Sequence, residues 1–253
     1  CTMKISLSAE DLPEFRPRRF VAKLAKVVAL TDDMAEFQFT TTNPAEFQPG
    51  QYALFDVPNV TGSRGYSMSN LPNDDGEWHF IIKRSPEGKA TSFLFDSIDV
   101  GTDIRMDGPY GLAYFRPDLN RDIVCVAGGS GLSPMMSIVK TACADASQSA
   151  RKVHLFYGGR APADICTPGL VAGITNTYNN LLTYDAISDE QQKSQWNGAC
   201  CFIHELVEKT LGGTLAEHEF YFCGPPPMTD ACQRMLMLDH KVPFEQIHFD
   251  RFF

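Results

Sequence analysis

Arg64, Tyr66, Ser67 and Ser69 place a cation, an aromatic ring and two hydroxyls within the single heptad Arg64 to Asn70. A guanidinium can fork onto a pyrophosphate, a ring two residues further on shares its strand face and can cover a flat heteroaromatic system, and hydroxyls can reach ring nitrogens. Those are the groups a flavin dinucleotide needs. The same side chains also suit an ordinary exposed strand, and the heptad alone leaves the two readings even.

Three further clusters carry chemistry. Gly88-Lys89-Ala90-Thr91-Ser92 precedes the apolar turn Phe93-Leu94, and a glycine there lets successive N–H groups face an anion at a helix start. A plain cap by Thr91 or Ser92 is the alternative. Gly129-x-Gly131-x-x-Pro134 follows an apolar run and opens a helical pattern, as a dinucleotide loop does, although the third glycine of that fingerprint is absent. Ser133 is expected to cap this helix and Pro134 to occupy its first position. Cys223-Gly224-Pro225-Pro226-x-Met228 puts a thiol at the end of another apolar run, where open α/β sheets bind ligands. A buried inert thiol is the alternative, and the neighbouring residues do not suggest a thiolate nucleophile.

The elements that must position these groups change character along the chain. From Arg19 apolar residues alternate: Phe20, Ala22, Leu24, then Phe37, Phe39, then Tyr52, Leu54, then Trp78, Phe80, Ile82, then Ile104, Met106. Turn residues separate them, which predicts short strands of an antiparallel barrel or sandwich. After Phe115-Arg116-Pro117 the runs become continuous at 123–127, 153–157, 181–184 and 220–223, as in parallel strands buried on both faces. Met135, Ile138, Val139 and Ala142, and again Met228, Cys232, Met235 and Leu236, follow helical spacing between or after them. This predicts a lead-in at 1–17, a β domain at 18–117 and an α/β domain at 118–253.

Taken in order, the four motifs resemble the ferredoxin reductase family of flavin- and nicotinamide-dependent enzymes over roughly residues 18–253. The resemblance implies an N-terminal antiparallel Greek-key β-barrel for FAD and a C-terminal Rossmann-like parallel α/β sheet for NAD(P)H. It places Arg64 on the FAD pyrophosphate, Tyr66 against the isoalloxazine and Ser67 near its N5. Met68, Ser69, Ile82, Lys83, Gly88, Lys89, Ala90, Thr91 and Phe253 complete the expected flavin set, with Thr91 replacing the commoner Ser. Gly129, Gly131, Leu132, Ser133, Pro134, Gly159, Arg160, Gly224, Pro225, Pro226 and Met228 are expected to hold the nicotinamide dinucleotide. Cys223 is expected beside nicotinamide C4, which makes Tyr66, Ser67 and Cys223 the implied hydride-transfer residues.

Some readings stay open. Arg160 can pair with a 2′-phosphate, stack on adenine or form an ion pair with Asp164, and the run Tyr157-Gly158-Gly159-Arg160 favours NADH over NADPH only through the resemblance. Phe252 and Phe253 can belong to a core or cover the flavin.

The implied function is hydride transfer from NADH to FAD, followed by single-electron delivery to a [2Fe–2S] centre that supplies an oxygenase. The opening residues resemble those following the iron–sulfur domain in reductase components of bacterial aromatic-hydrocarbon (toluene-type) monooxygenases and dioxygenases. The eight cysteines include no C-x4-C-x2-C set, so the cluster is expected only in a missing N-terminal domain. The expected partner is that domain, or a Rieske or plant-type ferredoxin, and through it an oxygenase. A stand-alone ferredoxin or flavodoxin reductase is the alternative within the class, and a non-catalytic electron-transfer or regulatory subunit the alternative outside it.

Composition narrows the partners. With 43% hydrophobic and 21% charged residues the chain is globular rather than disordered, and its net charge of −9 argues against nucleic acid. No apolar run suggests a membrane span and no secretory leader is seen, so scattered cysteines read as reduced thiols in a cytoplasmic protein.

Overall fold

Strands that alternate apolar and polar residues bury every second side chain, and six of them close around one core. The computed structural model describes residues 14–175 and 177–251; the expectations for Phe252, Phe253 and the first thirteen residues of the lead-in lie outside them. The first sheet contains β1 (Arg18–Ala29), β2 (Met34–Thr40), β3 (Tyr52–Asp56), β4 (Arg64–Ser67) and β5 (Glu77–Lys83), then helix α1 (Lys89–Asp96) and β6 (Asp103–Tyr110). All pairings are antiparallel in the order β4-β3-β6-β1-β2-β5, with β6 entering between β3 and β1 in Greek-key fashion. A bridge between Met68 and Phe80 joins the two outer strands and brings the sheet close to a barrel.

Phe37, Phe39, Phe55, Trp78 and Phe80 fill that barrel. One expectation is reversed: in β3, Ala53 and Phe55 point inward while Tyr52 and Leu54 stand outside. Phe55 offers the larger apolar surface and meets Phe80 edge-on at 4.8 Å, while a register shift against β6 between Tyr52 and Leu54 leaves Tyr52 beside Tyr110.

The continuous apolar runs form a second sheet, parallel throughout. Its strands are β7 (Asp122–Gly128), β8 (Val153–Gly159), β9 (Leu181–Ile187), β10 (Ala199–Cys200), β11 (His218–Gly224) and β12 (Ile247–Arg251), in the order β10-β9-β8-β7-β11-β12. Between them lie α2 (Leu132–Ala144), α3 (Thr167–Thr175), α4 (Ile203–Leu211) and α5 (Pro226–Gln233), the last running into a π-helical turn at Arg234–Asp239. One face of the sheet packs Cys125, Ala127, Leu155 and Tyr221 under α2, and the other packs Val124, Val126, Phe156 and Phe220 under α4. The chain leaves β7 toward β8 on one side and returns through β11 on the other. Ligand crevices of open α/β sheets lie at the carboxyl ends of strands where the order reverses in this way.

Met34 and Ile81 of the barrel belong to the same apolar cluster as Leu132 and Met136 of α2, so the two sheets share buried surface. Among the described residues no helix is long and apolar enough to cross a membrane.

Candidate active site

A cavity of about 600 Å³ opens where β4 and β5 face the start of α1. Nine of the sequence-predicted flavin residues line it: Arg64, Tyr66 and Ser67 from β4, Ile82 and Lys83 from β5, and Gly88 through Thr91 around the helix start. Ser130, from the glycine loop of the second domain, lies in the same wall.

The groups in this cavity are set up for an anion and a flat ring. The exposed Arg64 guanidinium touches only the carbonyls of Thr61, Gly62 and Ser63, at 3.1–3.3 Å, and no carboxylate pairs with it among the described residues. Helix α1 starts at Gly88 without a side-chain cap, which leaves its first N–H groups available. A Cβ on Gly88 would stand 2.7 Å from Thr91 Oγ1 and 2.8 Å from Ser85 Cβ, so the tight approach requires glycine. Thr91 does not cap the helix; its hydroxyl accepts from the Ser85 N–H at 3.1 Å and donates to the Gly88 carbonyl at 3.0 Å, pinning the loop. Tyr66 packs edge-on against Phe55 at 4.8 Å, and burial pushes its phenol up to about 12, so it stays protonated. The buried Ser67 hydroxyl makes no hydrogen bond among the described residues and is free for a ligand. An unpaired fork, an uncapped helix start and a free hydroxyl beside a ring fit FAD.

Two predicted flavin residues do not reach the cavity through their side chains. Met68 is buried in the barrel core at the closing bridge. Ser69 turns away and donates to Glu36 Oε1 at 2.9 Å.

The expected cap at Ser133 is not formed. A 3₁₀ turn at Gly129–Gly131 leads into α2, which begins at Leu132 with no side-chain cap and has Pro134 at its third residue. The Ser133 hydroxyl is drawn across the seam instead, donating to the Ser67 carbonyl at 2.6 Å and accepting from the Ile81 N–H at 2.9 Å. One turn on, Ser137 donates to the Asn70 carbonyl at 2.7 Å, and Lys140 donates to the Ser69 carbonyl at 2.9 Å. A single face of α2 therefore holds the segment that carries the predicted flavin residues. Leu132 and Pro134 themselves are buried.

On the dinucleotide side, Gly129 adopts φ +55°, and a Cβ on Gly131 would lie 2.0 Å from the Cys223 carbonyl oxygen. The glycine loop and the end of β11 are thus pressed together, with Met228 Sδ 2.7 Å from the Cβ position of Gly128 and Met228 Cε 2.8 Å from that of Gly224. Pro225 and Pro226 start α5, with Pro225 at the cap. Cys223 is 1% exposed; burial and the Asp250 carboxylate push its thiol well above the ordinary value, so it is neutral.

Asp250 is the site residue the sequence reading missed. Register pairs it with Cys223, its Oδ2 lies 3.7 Å from the Cβ position of Gly111, and its charge acts on Tyr52. Burial raises its carboxyl above the ordinary value. The available signal was an acid directly before the last three residues, but the short run Ile247 to Phe249 gave no strand to place it on.

At the end of β8, Gly159 packs on Asp164, whose Oδ2 accepts the N–H groups of Arg160 and Ala161 at 2.9 and 3.0 Å. Arg160 makes no ion pair with Asp164, which removes one of its three readings; its side chain is exposed. Asp164 pairs instead with Lys83 Nζ at 3.2 Å, and Lys83 also reaches Asp33 at 3.2 Å. Burial alone would lower the Lys83 ammonium, but Asp164 and Asp33 outweigh it and raise it. Lys83 is therefore both cavity wall and bridge between the sheets.

The comparisons agree with this division of labour. Residues 21–115 match the model of an oxidoreductase FAD-binding domain and residues 125–234 that of an oxidoreductase NAD-binding domain. The chain is 38% identical over 252 residues to the ferredoxin--NAD(P)(+) reductase CarAd of Metapseudomonas resinovorans, covering 99% of this chain and 74% of that protein. It is 32% identical over 255 residues to the ferredoxin--NAD(+) reductase component of the alkene monooxygenase system of Xanthobacter autotrophicus, covering 99% and 75%. Among solved structures, a ferredoxin reductase in carbazole 1,9a-dioxygenase superposes with TM-score 0.88 at 37% identity, over 98% of this chain and 74% of that one. A barrel fitted for FAD, joined through α2 to a dinucleotide sheet and matched along nearly its whole length by such reductases, places the chain in the ferredoxin reductase family of FAD- and NAD-binding oxidoreductases.

Proposed function

We propose that this chain is the NADH-oxidising reductase unit of an oxygenase system, with FAD in the barrel cavity, a nicotinamide dinucleotide at the crevice and a [2Fe–2S] centre as acceptor. The observation that carries the reading is the cavity wall, where Arg64, Tyr66 and Ser67 meet Ser130 of the glycine loop. Bound FAD would supply an acceptor able to take two electrons together and give them up singly.

The chain's own residues have distinct tasks in this reading. Arg64 and the open start of α1 bind the flavin pyrophosphate, one as a bidentate cation and the other through N–H groups. Tyr66, locked protonated, covers the ring as an apolar face. Ser67, with no partner of its own, can donate or accept at a ring nitrogen as that nitrogen changes protonation. The N–H groups opening the Gly129–Leu132 turn face the dinucleotide pyrophosphate. Cys223, neutral and buried, forms a small wall that fixes the nicotinamide ring and keeps water away from it.

NADH is favoured over NADPH because the neighbouring Lys83 ammonium is already paired with Asp164 and Asp33, which leaves Arg160 for a 2′-phosphate that is better held by several free cations. The Xanthobacter relative is named as a ferredoxin--NAD(+) reductase component, which points the same way. The oxygenase connection rests on the names of relatives, among them an anthranilate 1,2-dioxygenase electron transfer component and phenol 2-monooxygenase reductase DmpP.

The purified protein should be yellow, and anaerobic NADH should bleach it within the mixing time. A colourless protein, or one indifferent to both nicotinamides, rejects the reading. Bleaching by NADPH alone removes only the cofactor preference, and failure of the bleached protein to reduce a plant-type ferredoxin removes only the acceptor.

A further inference from the structure

We propose that Asp122, His154 and His218 form a binding site for a divalent transition metal of the zinc class, at the amino end of the parallel sheet and away from the nucleotide crevice. Topology assembles it. Register pairs His218 on β11 with Asp122 on β7, and His154 on β8 with Val124, two residues beyond Asp122. Paired residues in parallel strands point to the same side, as do residues two apart, so all three side chains share one face across three adjacent strands. Each offers a ligand atom, and these atoms lie within 4.8 Å of one another.

The surroundings favour a ligand role over plain packing. His218 Nδ1 lies 2.7 Å from the Thr214 carbonyl oxygen, which fixes the proton on that nitrogen and leaves the Nε2 lone pair free. Metal-binding histidines are oriented by this kind of hydrogen bond. His154 is 6% exposed, and its Nδ1 is buried with no partner among the described residues. A buried nitrogen left in that condition costs about 1–3 kcal/mol.

Asp122 supplies the remaining donor and the way in. Its Oδ1 accepts the Lys152 N–H at 2.8 Å, which orients the carboxylate, and the residue is half-exposed. Two imidazoles and a carboxylate are a nitrogen and oxygen set suited to zinc, with the remaining position left to water. Tetrahedral bonds of about 2.0–2.2 Å place donor atoms about 3.2–3.6 Å apart, so the widest pair must close by roughly 1–1.5 Å, which side-chain rotation can supply. The ion would tie the amino ends of β8, β7 and β11 together without touching the redox site.

The test uses the FAD-loaded protein, washed with chelator and dialysed against zinc chloride, with metal content measured per chain. Wild type should retain one more equivalent of zinc than either His154→Gln or His218→Asn, and zinc should raise its Tm by roughly 5 °C while leaving both variants unmoved. Flavin content and the rate of NADH bleaching should stay within twofold in all three, which shows that the variants are folded. Equal zinc retention in wild type and variants means an adventitious ion only and overturns the proposal, as does a wild type that binds none. If a variant fails to fold, zinc-edge X-ray absorption on wild type decides: a shell with two imidazoles supports the site, and a sulfur shell overturns it.

Discussion

The Ser133 hydroxyl stands between the Ser67 carbonyl and the Ile81 N–H, at 2.6 and 2.9 Å, so one side chain of the dinucleotide domain fastens two strands of the flavin barrel. Ser133→Ala leaves both buried groups unpaired, and loss of about 1–3 kcal/mol is expected. Because Ser67 then loses its anchor, NADH bleaching should slow severalfold while flavin content holds. Stopped-flow rates beside a denaturant titration measure both. Unchanged rates would show that the Ser67 position does not depend on this bond.

Gly131 and Gly129 should answer differently to the same change. Gly131→Ala drives a Cβ to 2.0 Å from the Cys223 carbonyl oxygen, so the loop and β11 must separate. KM for NADH should rise at least about tenfold, a loss of 1.4 kcal/mol or more. Gly129→Ala meets nothing nearer than Lys83 Cδ at 3.5 Å and pays only for its φ of +55°, about 1–2 kcal/mol of stability. Steady-state kinetics on both variants separate crowding from backbone strain.

Arg64→Ala should weaken FAD without weakening the barrel. The guanidinium meets only carbonyls of its own loop, so the Tm of flavin-free protein should shift by no more than about 0.5 kcal/mol equivalent. Flavin affinity should fall by about 1.5–3 kcal/mol, the worth of a hydrogen bond to a charged group. Fluorescence titration with FAD tests this, and undiminished affinity would remove Arg64 from the pyrophosphate site.

Glu36 sets an acid limb of stability. Burial pushes its carboxyl up, but the Lys140 ammonium, the Gln38 and Ser69 hydrogen bonds and His79 outweigh that and hold it below the ordinary 4.5. A depressed carboxyl contributes stability that is complete above the unfolded value and disappears as pH falls through the folded one. Glu36→Gln should therefore lower Tm at pH 7, and the gap to wild type should close as pH falls below the ordinary carboxylate value. Parallel Tm curves from pH 7 to pH 3 would contradict this.

What the sequence made legible was local. Arg64 to Ser67, the two glycine clusters and Cys223 stood out as candidates because the chemistry proposed for each runs through neighbours a few residues away. Parallel and antiparallel layers were readable for the same reason, since side-chain period reports burial. The inward phase of β3 was not, because Phe55 and Leu54 compete for a core whose other walls come from distant strands. Ser133 read as a cap because capping is a local rule, whereas its true partners, Ser67 and Ile81, lie 66 and 52 residues away. Asp250 acquires meaning only once β12 pairs it with Cys223.

Ser133, Ser137 and Lys140 grip Ser67, Asn70 and Ser69 from one helix face, over a shared apolar floor that includes Ile81 and Leu132. Prising the two halves apart would break these bonds, the Ile81–Ser133 bond and the Lys83–Asp164 pair at once and wet that floor. The cleft is therefore a mould rather than a jaw: its width is decided when the chain folds, and an arriving coenzyme finds a slot already cut to size.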